Sequence, residues 1–323
     1  MPRPLPRPEW HTLDVAGAPM RCMTAGEGDP LLFLHGWGMT PRIYAPAVNR
    51  LCAAGIKVIA PALPGFGGSA KLPFSELTLS HYAERMAALL RVLDIDRPAF
   101  VMGHSFGGGV AIQLAYEHPG LVRSLTLLNS VGGAPGRPAA RATAAEGMTS
   151  RPWWHWALGA ATEASPLQVL RMRPSTLAAV ITGVGRDLLP NLVRRPVTMT
   201  LTAMLALSAD LADEARQLIE SGMPVLFIWG DQDRLIAPGA FAEIANVLPP
   251  EIVKGRHGWL LTAPEEFGQL MHNALVVHAL LERQRRGSAI VFPRGAVLAE
   301  LFPPERRKRA RAAPASQWRD DAG

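Results

Sequence analysis

Short apolar runs recur through the first 130 residues, and each ends at a residue that turns the chain. Leu31–Leu34 runs into His35-Gly36, Lys57–Ala60 into Pro61, Ala99–Met102 into Gly103, and Leu125–Leu128 into Asn129. The runs are continuous rather than alternating, as expected for strands covered on both faces of a parallel sheet. Between them the period changes. Leu79, Tyr82, Ala83, Met86, Leu89, Leu90 and Leu93 recur at helical spacing, which predicts an amphipathic helix. A second helix over Val110–Tyr116 follows a glycine run and stops at His118-Pro119-Gly120. Strand and helix in alternation predict right-handed βαβ crossovers, so the fold class is α/β with a doubly wound, mostly parallel sheet.

The alternation breaks at Gly132. From there to about Gly222 no buried strand is readable, and Pro152, Pro166, Pro174, Pro190 and Pro196 punctuate alanine- and tryptophan-rich helical stretches. The sheet pattern resumes at Val225–Trp229. A helix over Pro238–Val247, a short strand at Ile252-Val253 and a final helix from Pro264 follow. Glu265 and Glu266 fall in the first turn of that helix, where the macrodipole favours acids. The predicted organisation is an α/β core built from 1–131 and 223–285, a helical insertion over 132–222, and a tail over 286–323.

Charge sharpens this division. The 323 residues carry 33 basic and 27 acidic side chains, a net +6. Such an excess raises nucleic acid or an anionic surface as a partner. Yet ten of the basic residues, against five acids, lie from Glu282 onward, leaving 23 and 22 before it. The body is near neutral and the excess sits in the tail, around Arg306-Arg307-Lys308-Arg309-Ala310-Arg311. No aromatics interleave that cluster, so specific nucleic-acid binding is not expected, and the run reads as a solvated end with at most a weak anionic-surface contact. Two cysteines, Cys22 and Cys52, exclude a disulfide scaffold and a four-cysteine zinc site. The proline- and arginine-rich start lacks the apolar core of a secretory signal, and no apolar run approaches 18 residues. A soluble, cytoplasmic protein with free thiols is expected.

The chemistry concentrates at the ends of the apolar runs. Gly103-His104-Ser105-Phe106-Gly107-Gly108 lies directly between a strand and a helix, the context of a nucleophile elbow. Glycines on both flanks let the turn tighten and present Ser105 at a helix N-terminus, where developing negative charge is favoured. His35-Gly36-Trp37-Gly38 follows the Leu31 strand. Its loop can aim the Trp37 N–H at an oxyanion, with the Phe106 N–H as second donor. A serine hydroxyl also requires a neutral imidazole to take its proton and a carboxylate to orient that imidazole. His257, in Gly255-Arg256-His257-Gly258, is the candidate base. Asp231 and Asp233, after the Val225 strand, compete as the acid; Asp233, two residues deeper in the turn, is preferred. His35 and His104 are read as loop-holding and packing residues that also border the substrate pocket, and His118 as solvated.

Together these motifs resemble the α/β-hydrolase superfamily, in the serine-nucleophile branch with a helical cap after the sixth strand. The resemblance runs from about Trp10 to Arg283. It rests on His35-Gly36-Trp37-Gly38, Pro64-Gly65-Phe66-Gly67-Gly68-Ser69, the Ser105 elbow, Gly230-x-x-Asp233-x-x-x-Ala237-Pro238, and His257 followed by Ala263-Pro264-Glu265-Glu266-Phe267. It implies Asp233 as the acid, and an acyl-enzyme mechanism with no metal or organic cofactor. Two positions depart from the family pattern: Ala62 stands where an aspartate often braces the loop, and Thr262 where an acid is common. Trp153, Trp154 and Trp156, with several methionines, suit an apolar, adaptable wall for a small-molecule substrate. With no basic cluster beside the elbow, the expected substrate is a carboxylic ester or thioester with an uncharged, largely hydrophobic acyl part. Carbon–carbon bond hydrolysis, lactone opening and cofactor-free perhydrolysis or haloperoxidation use the same residues and stay open. So does a non-catalytic small-ligand binder, although such proteins commonly lack part of the triad.

Overall fold

A computed structural model describes residues 6–133, 174–233, 235–236, 241, 244 and 248–285. Eight strands form one sheet in the order β1-β2-β4-β3-β5-β6-β7-β8. Four of them, β3 (Asp29–Leu34), β4 (Ile56–Pro61), β5 (Ala99–His104) and β6 (Val122–Leu128), contain the apolar runs of the first 130 residues. These four, with β7 (Val225–Gly230) and β8 (Glu251–Val253), pair in parallel throughout.

Alternate residues of the central strands feed two separate cores. Leu32 and Leu34 pack with Tyr82, Met86 and Leu90 of α2 (Leu79–Val92) and with Val110 and Leu114 of α3 (Phe106–Glu117). Leu31 and Phe33 pack on the other face with Ile43, Tyr44 and Val48 of α1 (Pro41–Val48), and with Trp259 and Leu260 of α8 (Trp259–Thr262) and Phe267 and Met271 of α9 (Pro264–Arg285). Two-sided burial is the physical reason these runs show no polar alternation.

Two strands carry no comparable run. β1 (Glu9–Val15) and β2 (Ala18–Ala25) form an antiparallel hairpin at the sheet edge, and β2 pairs antiparallel with β4. The turn is Ala16-Gly17, both at positive φ (52° and 74°), and the Asp14 carboxylate accepts from the Gly17 N–H at 2.8 Å. An alanine in the first position of such a turn is unusual for hairpins, which favour Asn or Asp there. The sequence signal is weak for that reason.

Chain order reverses around β3: the chain passes to β4 on one side, then crosses back to β5 on the other. Ligand crevices of open α/β sheets form at such a switch point, beyond the carboxyl ends of the strands. Here those ends carry His35 and Ser105.

The segment expected as an insertion leaves the sheet after β6. Its described part is helical: α4 (Pro174–Gly183), a π-helical turn, α5 (Leu189–Arg194), α6 (Pro196–Ser208) and α7 (Ala212–Glu220). Gly132 bridges Asp210, and its carbonyl accepts from the Leu211 N–H at 2.7 Å, so the segment is pinned where it leaves and where it returns. Ala215 and Leu218 of α7 join the α2–α3 core. The Pro238–Val247 helix lies largely outside the described residues, and the tail 286–323 wholly so. No described helix is long and apolar enough to cross a membrane.

Leu32→Ala and Phe33→Ala, one on each face, are each expected to cost about 2–5 kcal/mol, the usual range for large-to-small changes in a core. Denaturant unfolding measures this. Losses well under about 1 kcal/mol at both positions would contradict two-sided burial.

Candidate active site

Ser105 sits between β5 and α3 at φ 52°, ψ −119°. Non-glycine residues seldom adopt positive φ, and such strain persists only where the surroundings over-determine it. They do here. The Ser105 N–H donates to the Leu128 carbonyl at 3.0 Å, and its own carbonyl accepts from the Gly108 and Val131 N–H groups at 2.8 and 3.2 Å. A Cβ on Gly103 would collide with the Gly107 backbone, and one on Gly107 with the Leu34 and His35 carbonyls. The flanking glycines thus let β5, α3 and the end of β3 meet backbone to backbone. Phe106 opens α3, where the first N–H groups have no partner within the helix. Trp37 N–H meets no acceptor among the described residues.

Asp233 and His257 meet beyond β7 and β8. His257 Nδ1 lies 2.8 Å from Asp233 Oδ2, and both residues are 9% exposed. Asp233 Oδ1 accepts from the Leu235 and Ile236 N–H groups at 2.8 and 3.0 Å. Burial by itself would raise the Asp233 carboxyl. The His257 charge and ring N–H, the Ile236 N–H and the Asn129 amide together outweigh burial and hold it below the usual carboxylate value. Asp231, the competing acid, is exposed and accepts instead from the Gly255 N–H at 2.9 Å, bracing the His257 loop.

Asn129 is a site residue that the motifs did not single out. It directly follows β6 at φ 44°, fully buried. Its Oδ1 accepts from Trp259 Nε1 at 2.9 Å, which turns its NH₂ towards Asp233 Oδ2. In the sequence Asn129 reads only as the end of an apolar run.

His35 and His104, expected to border the substrate pocket, have each ring committed to protein groups among the described residues. His35 is fully buried. Its Nε2 accepts from the Leu63 N–H at 2.9 Å, which leaves Nδ1 to donate to the Gly36 carbonyl at 2.9 Å. His104 is 3% exposed, with Tyr44 Oη and the His257 carbonyl on its two nitrogens. The loop-holding part of the reading agrees with these contacts. Together with Ser69, whose hydroxyl donates to the Ala62 carbonyl at 2.7 Å, His35 braces the 62–69 loop. His118, expected to be solvated, pairs with Glu84 at 3.0 Å. With Glu117 these form the one described grouping within metal-ligand reach. It lies at the far end of the 12-residue α3, about 18 Å along the helix from Ser105.

The inserted helices reach the Trp37 loop. Trp37 Nε1 donates to Thr202 Oγ1 at 2.9 Å, with the Met199 carbonyl at 3.3 Å, both on α6. Leu188 and Met199 close over Gly38. Just outside, Lys71, Phe74, Arg194, Arg195, Val197 and Thr198 line a cleft of about 380 Å³. Its three cations are the adjacent Arg194 and Arg195 and, from a distant segment, Lys71. Trp153, Trp154 and Trp156 lie outside the described residues.

The chain thus combines a serine between strand and helix at the switch point of a mostly parallel sheet with an Asp–His pair that follows its last two strands. Residues 29–260 match the family model described as alpha/beta hydrolase fold, and the chain belongs to that family. It is 32% identical over 233 residues to a pimeloyl-[acyl-carrier protein] methyl ester esterase of Aromatoleum aromaticum, covering 68% of this chain and 85% of that one. It is 36% identical over 122 residues to a 2-hydroxymuconate semialdehyde hydrolase of Pseudomonas sp. (strain CF600), covering 36% and 42%. A thermophilic esterase from Thermogutta terrifontis superposes with TM-score 0.59 at 20% identity, over 84% of this chain and 99% of that one, and so shares the fold.

The buried histidines carry a pH consequence. Burial lowers His35 to about 4 and His104 to about 3, from 6.5. The unfolded chain therefore binds these protons first as pH falls. Stability is complete above 6.5 and declines progressively as pH drops towards the folded values. Thermal unfolding at pH 7.5, 6 and 4.5 is expected to show a falling midpoint. A midpoint unchanged across that range would exclude neutral, buried rings at both positions.

Proposed function

We propose that the protein is a serine hydrolase in which Ser105, His257 and Asp233 act as nucleophile, base and orienting acid. The observation that carries this reading is the 2.8 Å Asp233–His257 contact, formed beside a serine whose backbone is held in the strained geometry of an elbow. An Asp233 carboxylate can only accept, so a neutral His257 ring donates from Nδ1 and keeps Nε2 as its basic nitrogen. In the proposed cycle Ser105 Oγ attacks a carbonyl carbon while His257 Nε2 takes its proton. The Trp37 and Phe106 N–H groups hold the oxyanion, a contribution worth about 2.7–4 kcal/mol per donor in related chemistry. His257 then protonates the leaving group, and water activated by the same nitrogen releases the acyl-enzyme.

The proposed substrate is a carboxylic ester or thioester with a largely hydrophobic acyl part. Leu188 and Met199, which bring apolar surface over the Trp37-Gly38 loop, support this. The ester-cleaving relative supports it too, by its name.

Ser105→Ala is expected to lower turnover of a short p-nitrophenyl ester by up to ~10⁶-fold, the scale of nucleophile loss in serine hydrolases. It is also expected to abolish labelling by a fluorophosphonate probe. Wild-type turnover in this variant would remove Ser105 from the mechanism, and a wild-type protein inert to both reagents would favour a small-ligand binder.

Asp233→Asn is expected to reduce kcat by roughly 10⁴-fold. Asp231→Asn, which touches only a backbone N–H, is expected to cost far less. The opposite ranking would transfer the acid role to Asp231.

A further inference from the structure

Ser105 is preceded by a histidine that the proposed cycle does not use, and its surroundings determine how its protons are placed. His104 Nε2 lies 2.9 Å from the His257 carbonyl oxygen. A carbonyl only accepts, so Nε2 carries the hydrogen. Burial keeps the ring neutral, with its pKa pushed down to about 3, so Nδ1 is bare. Tyr44 Oη lies 2.8 Å from that bare nitrogen and therefore donates its proton to it. The remaining lone pairs of Tyr44 Oη face the Gly36 N–H, 3.2 Å away. Every donor and acceptor along this path has one consistent assignment. The path runs from the Gly36 N–H through Tyr44 and His104 to the main chain of His257.

Its two ends are separated by 221 positions in the sequence, and its middle is the residue next to the nucleophile. Gly36 adjoins Trp37, the proposed oxyanion donor. No Cβ fits at Gly36 without crowding His104 Nδ1 at 3.0 Å, Tyr44 Oη at 3.1 Å and Ser105 Cβ at 3.4 Å. The rings also meet in series at tilted angles, with centroids 5.6 Å apart for Tyr44–His104 and 4.9 Å for His104–His257. Tyr44 is fully buried on α1, an element with no motif of its own.

We propose that Tyr44 and His104 are positioning residues, which lock the Gly36–Trp37 loop, the Ser105 elbow and the His257 main chain into one register through a single oriented hydrogen-bond chain. Neither touches substrate. Their effect is on where the oxyanion donor and the base stand relative to Ser105 Oγ, and a displacement near 1 Å at such a site can cost ~10²-fold in rate. The inference rests on the serine-hydrolase reading for its kinetic consequence but not for its hydrogen-bond assignment.

The test uses the full chain and three variants. Tyr44→Phe removes one hydroxyl and keeps the ring volume. His104→Gln retains an N–H donor for the His257 carbonyl, and His104→Leu retains none. With a short p-nitrophenyl ester, Tyr44→Phe and His104→Leu are expected to lower kcat by about 10–100-fold with KM within about twofold. His104→Gln is expected to recover part of the loss. The double variant Tyr44→Phe/His104→Leu is expected to fall no further than the worse single, as for two links of one chain. Thermal midpoints taken alongside confirm that each variant is folded at the assay temperature. Wild-type kcat in Tyr44→Phe, or losses that simply multiply in the double variant, would overturn the proposal. If the wild type turns over no ester and Ser105 resists the fluorophosphonate probe, it is the hydrolase reading that fails. The chain is then judged by the ¹⁵N shifts of the His104 ring: a protonated Nε2 that becomes a tautomer mixture in Tyr44→Phe supports it, and a protonated Nδ1 in the wild type overturns it.

Discussion

Ser105 holds a backbone conformation that side-chain-bearing residues avoid, and the geometry of the site follows from how that conformation is maintained. Three backbone hydrogen bonds grip it: one to the end of β6, one within the first turn of α3, and one to the segment leaving the sheet. Those bonds require β5, α3 and the end of β3 to approach more closely than any Cβ allows, so glycine occupies positions 103 and 107. The approach in turn requires β3 and β5 to be neighbours, which the reversal of strand order provides. The strain at one residue is thus sustained by the topology of the whole sheet.

Around this point three buried histidines with similar local sequence contexts have different surroundings. His35 and His104 have both nitrogens committed to protein groups, and burial holds them neutral. His257 has one nitrogen on a carboxylate and, among the described residues, no partner on the other. Only a ring with a free, basic nitrogen can exchange a proton with a substrate. The two committed rings serve as struts, one bracing the 62–69 loop and the other joining the elbow to the His257 loop.

The inserted helices act on the same centre from outside. α6 anchors the Trp37 indole, Leu188 and Met199 close over Gly38, and Arg194 and Arg195 before α6 bring their charges, with Lys71, to an adjacent cleft.

The sequence by itself determined the α/β class, the central strands and α2 and α3, because burial on both faces of a parallel sheet and a helical apolar stripe leave periods that can be read locally. It also placed Ser105 between a strand and a helix, since strand, turn and helix are contiguous there. It left the β1–β2 hairpin unread, because β1 at the sheet edge is largely uncovered and the Ala16-Gly17 turn lacks the usual residues. Only the tertiary structure decided which of Asp231 and Asp233 meets His257, for both follow the same strand and differ in which neighbour each faces. It alone brought Asn129 to Asp233 and Tyr44 to His104. Those contacts join residues dozens to hundreds of positions apart, and a hydrogen-bond partner at that separation leaves no periodic trace in the chain.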